Sequence, residues 1–320
     1  MTSVFDRFLD PSVRGTSVVQ LDDLPLHALL GLTSQKGQAV AEALGSETIG
    51  DLVRNRFVRR AFAMANAAAD LGHDPGPDPA WQALFQTAPL ATYQAHPSEF
   101  RLDFGPVYYR GRLDGTARLL VIGQDPAPNE LIAHRAFVGA SGQRLQGFFR
   151  KIGLNRSYLI LNTFLYPVFG QVIGQLEDLL SDPDIAGFRN AVFDRCADEN
   201  DVEAILCVGR AARLAADAWP GASSLHRVDI THPAAIDHAA TLATWNEGLA
   251  DLRARIEPED DAVADPSTYG TDWTDADHEP IPRRDLPFGI PDWHGVGSHA
   301  SRARTDTGGT DHRRIIWQAP

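Results

Sequence analysis

The chain has two cysteines, two methionines and no long apolar run. Cys196 and Cys207 cannot supply a disulfide framework or a four-cysteine cluster. Cys207, inside Ala204-Ile205-Leu206-Cys207-Val208, reads as a small buried hydrophobe. The longest apolar segments are far too short to span a bilayer. Met1-Thr2-Ser3-Val4-Phe5-Asp6-Arg7 lacks a basic start followed by an apolar stretch, so no secretion signal is read and the cytoplasm is the expected compartment. No Walker loop and no Gly-x-Gly-x-x-Gly follows a strand, which argues against a nucleotide cofactor. His294 and His299 lie without cysteine partners, so no metal site is expected. Internal repeats are absent too.

Positive charge is scarce: 29 Lys and Arg stand against 42 Asp and Glu, a net −13. That disfavours a nucleic-acid partner on bulk charge alone. The distribution softens the objection. Residues 257–320 hold 13 acids and 6 Arg, a balance of −7, leaving −6 on the other 256 residues. Almost all the positive charge is Arg, which suits bidentate phosphate contacts, although a coding bias gives the same composition.

What is present is an alternation of elements. Residues 34–70 carry a helical pattern with apolar residues at Ile49, Leu52, Val53, Phe57 and Phe62. Pro75, Pro77 and Pro79 mark a loop, and Trp81–Phe85 starts a short helix. Four buried strands are predicted at 117–123, 157–162, 203–208 and 226–230, with helices at 144–152, 184–200, 209–219 and 236–256. The implied fold class is α/β: a central four-stranded parallel sheet flanked by helices, with an N-terminal helical extension (1–100), a core (101–256) and an irregular acidic tail (257–320). Trp273, Trp293 and Trp317 are half of the tryptophans, so the tail is expected to drape on the body or to dock a protein partner. A monomer is expected.

In such sheets ligands bind beyond the carboxyl ends of the strands. Gln124-Asp125-Pro126 follows the first strand, Asn162 ends the second, and Thr231-His232-Pro233 follows the fourth. The third strand ends in Gly209-Arg210, without an obvious chemical group. Each motif has a plain structural reading. Asp125 could be a turn residue or a helix cap, Phe137 a core aromatic, Asn162 a strand-end hydrogen bonder and His232 a structural imidazole. Each also has a chemical one. The Asp125 carboxylate can orient a water and stabilise a cationic sugar. Pro126 stiffens a loop that aims the Gln124 and Asp125 amides at an anionic leaving group. Phe137, near Gly139 and Gly142, can stack on a flipped base. The Asn162 amide can pair with both O4 and N3–H of uracil and matches cytosine poorly, because that edge reverses donor and acceptor. A neutral His232 can donate to a developing uracil anion.

Together these segments resemble the uracil-DNA glycosylase superfamily over about Leu102 to Ile256, roughly half of the chain. Gly123-Gln124-Asp125-Pro126 is similar to the water-activating motif of the family 1 enzymes. Phe137-Val138-Gly139-Ala140-Ser141-Gly142-Gln143, with the 25-residue step to Asn162, is closer to family 4. Thr231-His232-Pro233 resembles the leaving-group histidine motif of both. The stretch from Phe104 to Gly115 adds a likeness to a bacterial branch of the superfamily. The resemblance implies base excision from DNA, with Asp125 and His232 catalytic and Gln124, Phe137, Asn162 and Ala127 binding the base. DNA containing uracil or a damaged base is the implied partner, with no membrane and no cofactor. Two departures stand out. The four cysteines that hold a cluster in family 4 are missing. Ala127 replaces the family 1 tyrosine that excludes the thymine methyl, so selectivity for the base is open. Ile236, four residues after His232, is the candidate for the apolar wedge pushed into DNA. The rival readings are a DNA- or protein-binding module without catalysis, and a hydrolase of free nucleosides.

Overall fold

A computed structural model describes residues 8–68, 72–103, 105–169, 173–259, 262, 264–290, 299–303 and 312–316. The chain divides into two compact units, Met1–Asp70 and Leu71–Pro320. The first holds α1 (Ser34–Leu44), α2 (Ile49–Arg54) and α3 (Arg56–Ala68). Thr33 caps α1 and Gly45 ends it at φ 60°, a left-handed turn that glycine adopts without a Cβ penalty. Thr48 and Asp51 form a reciprocal capping box on α2. The continuous helical pattern of the sequence is thus three helices separated by caps.

The second unit opens with α4 (Pro79–Phe85) and α5 (Leu90–Gln94) and then builds the sheet. Its elements run β1 (Tyr109–Gly111), β2 (Leu119–Gly123), α6 (Pro128–Ala133), α7 (Ala140–Ile152), β3 (Tyr158–Asn162), α8 (Ile173–Leu180), α9 (Pro183–Glu199), β4 (Ala204–Val208), α10 (Arg210–Asp217), β5 (Arg227–Ile230) and α11 (His238–Arg253). A short hairpin, β6 (His299–Ala303) with β7 (His312–Ile316), follows. The four parallel strands fall where the apolar runs predict them. The sheet has five strands rather than four, in the order β1-β3-β2-β4-β5, because β1 joins the edge antiparallel to β3. Its three residues, Tyr-Arg-Gly, carry no apolar run that would mark a strand.

The inner parallel strands β2, β3 and β4 are apolar on both faces because helices cover both, whereas edge strand β5 alternates and turns Arg227 and Asp229 outward. Leu119, Val121, Tyr158, Ile160, Leu206 and Ile230 pack with Leu145, Phe148 and Phe149 of α7 and Trp245 and Leu249 of α11. The alternate residues Leu120, Ile122, Leu159, Leu161, Ile205 and Cys207 pack against α4, α9 and α10 through Trp81, Phe193 and Ala215. Winding leaves β2 toward β3 on one side and returns to β4 on the other, so the switch point lies at the carboxyl end of β2. Much of the tail is draped on this body. Tyr269 joins the α7–α11 layer with Trp273 packed against it, and Asp285 is fully buried. Arg110 and Tyr158 hold the Asp285 carboxylate at 3.0 and 2.7 Å. Trp293 and Trp317 lie outside the described residues.

Candidate active site

Side chains on a strand alternate between its faces. Val121, Ile160 and Ile230 all point into the α7–α11 layer. Two residues further on, Gly123, Asn162 and His232 continue the same face at the carboxyl end of the sheet. Gly123 and Asn162 are register partners of β2 and β3. Phe137, between α6 and α7, is turned onto that face with φ 52°, a left-handed conformation that is strained for an aromatic residue. Its ring lies 6.2 Å from the His232 ring at a 45° tilt. A Cβ on Gly123 would collide with the Phe137 ring and come within 2.5 Å of Asn162 Oδ1. Glycine is therefore needed at the end of β2 for these two side chains to meet.

Asn162 is only 7% exposed, and both its Oδ1 and Nδ2 are buried without a hydrogen-bond partner. An orphaned buried amide costs stability, so this one is held for something other than the fold. The neighbouring backbone, by contrast, is fully tied. Thr163 donates to the Gly123 carbonyl through its amide (2.9 Å) and its hydroxyl (2.8 Å), and Phe164 N–H donates to the Gln124 carbonyl at 2.9 Å.

Asp125 is half-buried and its two oxygens face separate donors. Gln124 Nε2 donates to Oδ1 and the Val168 amide to Oδ2, each at 2.9 Å. The plain readings of this Asp are a turn residue and a helix cap. Asp125 instead precedes α6 by three residues, and Ala127 occupies the cap position without a side-chain bond.

The His232 Nδ1 accepts from the Ala234 amide at 3.2 Å, which leaves the proton on Nε2. Burial, and secondarily the charge of Arg144, lower its pKa from 6.5 to about 4. The ring is thus neutral at physiological pH and can only donate through Nε2. The linkage has a definite sign. Above pH 6.5 both states carry a neutral ring. As pH falls from 6.5 to about 4, the unfolded chain takes up a proton that the folded chain refuses, and stability drops. His232→Gln should abolish this loss, about 1–3 kcal/mol once partial solvent screening is allowed for. The check is the melting temperature of both proteins across that pH range.

One residue that sequence reading missed organises the site. The Glu130 carboxylate is buried and accepts from the Ala127 amide at 3.0 Å, the Val138 amide at 2.7 Å and the Gly139 amide at 3.0 Å. It staples the Asp125 loop to the Phe137 loop. The signal was an acid in the first turn after Pro128, which reads as ordinary helix capping. Glu130→Gln turns one N–H of the side chain toward a backbone donor. We expect a loss of about 1–3 kcal/mol in denaturant unfolding.

The structure thus brings Phe137 and Asn162 together at Gly123 and sets the His232 ring beside Phe137, with Gln124 and Asp125 on the loop that leaves Gly123. Ala127 lies where Glu130 joins the two loops. Ile236 stands apart on the loop before α11, with 98% of its surface exposed. Both cysteines are buried, and burial pushes the Cys207 thiol up to about 12.

These features define an α/β protein that brings an aromatic ring, an amide and an imidazole together at the switch point of its sheet. Residues 111–253 match the family model described as the Uracil DNA glycosylase superfamily, a span that contains every residue of this site, and the match supports membership of that superfamily. No curated protein matches the chain. Membership supports a glycosylase-type hydrolase activity on DNA in general terms. No helix among the described residues is long and apolar enough to cross a membrane.

Proposed function

We propose that this protein hydrolyses the N-glycosidic bond of uracil in DNA, as a step of base excision repair. The observation that carries the reading is the buried, unpartnered Asn162 amide beside the Phe137 ring. An amide needs a planar guest that accepts at one atom and donates at the next. The O4 and N3–H of uracil fit that demand, and the reversed edge of cytosine does not.

The target nucleotide leaves the stack, at a cost of about a few kcal/mol that is least for a mispaired base. Phe137 stacks on it and Asn162 holds its edge. Ile236, exposed beside the His232 loop, fills the gap left in the duplex. The bond from C1′ to N1 breaks and its electron pair stays on the base, giving a uracil anion and a sugar cation. The Nε2–H of His232 and the Gln124 amide stabilise the anion. Asp125 faces the cation and orients a water, whose oxygen joins C1′ while its proton ends on the base. Ala127 leaves the edge of the pocket open, so related damaged bases also enter.

The test is direct. Purified protein incubated with a uracil-containing oligonucleotide should release free uracil and leave alkali-labile sites. Salt-dependent DNA binding with no release of any base would instead mark a binding module. Release from deoxyuridine but not from DNA would mark a nucleoside hydrolase.

A further inference from the structure

The two carbonyls that flank His232 are each held by a side-chain donor. Trp245 Nε1 donates to the Thr231 carbonyl at 2.8 Å, and Arg144 Nη1 donates to the Pro233 carbonyl at 2.5 Å. The Thr231 amide is fixed as well, by the Thr244 hydroxyl at 3.0 Å. Trp245 and Arg144 come from different helices, α11 and α7, yet both rest on one residue of the acidic tail. The Trp273 ring meets Trp245 edge-on at 5.0 Å and lies beneath the Arg144 guanidinium at 4.4 Å.

The tail segment around Trp273 is built in rather than laid on. Asn246 and Tyr269 exchange two hydrogen bonds, Nδ2 to the Tyr269 carbonyl at 3.0 Å and the Tyr269 amide to Oδ1 at 2.8 Å. His278 gives its Nδ1 proton to the Thr274 carbonyl at 3.0 Å, which leaves Nε2 to accept from Arg144 Nε at 3.1 Å. The Glu279 amide donates to the Gln143 carbonyl at 3.0 Å. Backbone at Asp277 lies so close to α7 that a Cβ on Gly147 would overlap the Asp277 carbonyl. Asp285 closes the segment in its buried contacts with Arg110 and Tyr158.

We infer that residues 265–285 form a strap that sets the position of His232, with Arg144 and Trp273 as its positioning residues. This rests on the proposed role of His232 in base release. A donor aimed at a developing anion works only at the right distance, and a displacement of about 1 Å can cost 10²-fold in rate. Neither Arg144 nor Trp273 touches the reacting atoms. They act by fixing the backbone on either side of the imidazole.

The experiment uses the full chain and a uracil-containing oligonucleotide. It measures single-turnover release, oligonucleotide affinity and melting temperature for Arg144→Met, Arg144→Lys, Trp273→Ala, Trp273→Phe, His232→Ala and the double variant His232→Ala/Arg144→Met. We expect Arg144→Met and Trp273→Ala to slow release about 10–100-fold while affinity stays within about twofold. Arg144→Lys and Trp273→Phe should keep much of the rate, since each preserves one donor or one ring. The deciding comparison is the double variant, which should release uracil no more slowly than His232→Ala alone. Should Arg144→Met slow the His232→Ala protein by its full factor, or weaken DNA binding instead of release, Arg144 does not work through the imidazole and the inference falls. Natural rates in Arg144→Met and Trp273→Ala beside a slow His232→Ala would overturn it alone. A His232→Ala protein as fast as the natural one would overturn the functional reading beneath it. If Trp273→Ala fails to fold, the Arg144 and His232 comparison still decides.

Discussion

An Asn162→Leu protein is expected to be more stable than the natural one and almost inactive. Asn162 sits at the end of β3 with both amide atoms buried and unpartnered. Leucine has nearly the same shape and no polar atom to strand. Replacing a buried, unsatisfied polar group by an apolar one of similar size removes a desolvation cost of about 1–3 kcal/mol. The neighbour is apolar enough to accept it: the buried Phe137 ring meets the same point above Gly123 as the Asn162 amide. The same change removes both hydrogen bonds proposed to hold the base, and a site built to bond a substrate edge loses far more than one that merely fits its shape. We expect release of uracil to fall by about 10²–10³-fold or more. Denaturant unfolding and a single-turnover assay measure the two effects. A fall in stability would mean that the amide has a structural partner and is not held open for a ligand. Few structural residues gain stability on losing their polar atoms, whereas groups kept for function commonly do.

The parallel sheet was legible because β2, β3 and β4 are buried on both faces and read as near-continuous apolar runs, while β5 shows the alternation of an edge strand. β1 was not, because three residues at a sheet edge leave no periodic trace. The strand-end chemistry followed from the same logic: Gln124, Asn162 and His232 stand where the apolar runs stop. That Asn162 and His232 share a face depends on strand parity, and that becomes certain only once the strands are in register. Gly123 shows the limit well. In sequence it is the last residue of an apolar run, and only the neighbouring strand and the Phe137 loop reveal that a methyl group there would collide with both. Glu130 and Arg144 were invisible for a further reason. Each acts on backbone groups brought near by folding, Glu130 on Val138 and Arg144 on Pro233. An acid near a helix start and an arginine on a helix carry no sign of such targets. The tail was readable in composition only. Its tryptophans carried the expectation that it drapes on the body, and the burial of Tyr269, Ile281, Leu286 and Asp285 shows residues 264–290 packed through a few well-spaced anchors that composition does not name.

Asp125→Asn should leave the protein folded and bound to DNA while slowing base release by about 10²–10³-fold. The two shapes are the same, so the effect is one of charge and hydrogen bonding. In the natural protein both oxygens accept, one from Gln124 Nε2 and one from the Val168 amide. An asparagine oxygen can accept from the Val168 amide, and its NH2 can face Gln124, whose side-chain amide flips to accept from it. The cost to stability should therefore be small, below about 1 kcal/mol at a half-buried position. The loss in rate has a different origin. A full negative charge held in place before the reaction stabilises a sugar cation without reorganising, and a neutral amide does not. Binding should not suffer, since DNA is a polyanion and removing a negative charge near it lowers repulsion. Affinity equal to or slightly tighter than that of the natural protein, alongside slow release, would fit a residue that acts on the transition state. A variant that releases uracil at the natural rate would place the cation-stabilising charge elsewhere. A variant that loses affinity in step with rate would assign Asp125 to loop structure, through Val168, and not to the chemistry.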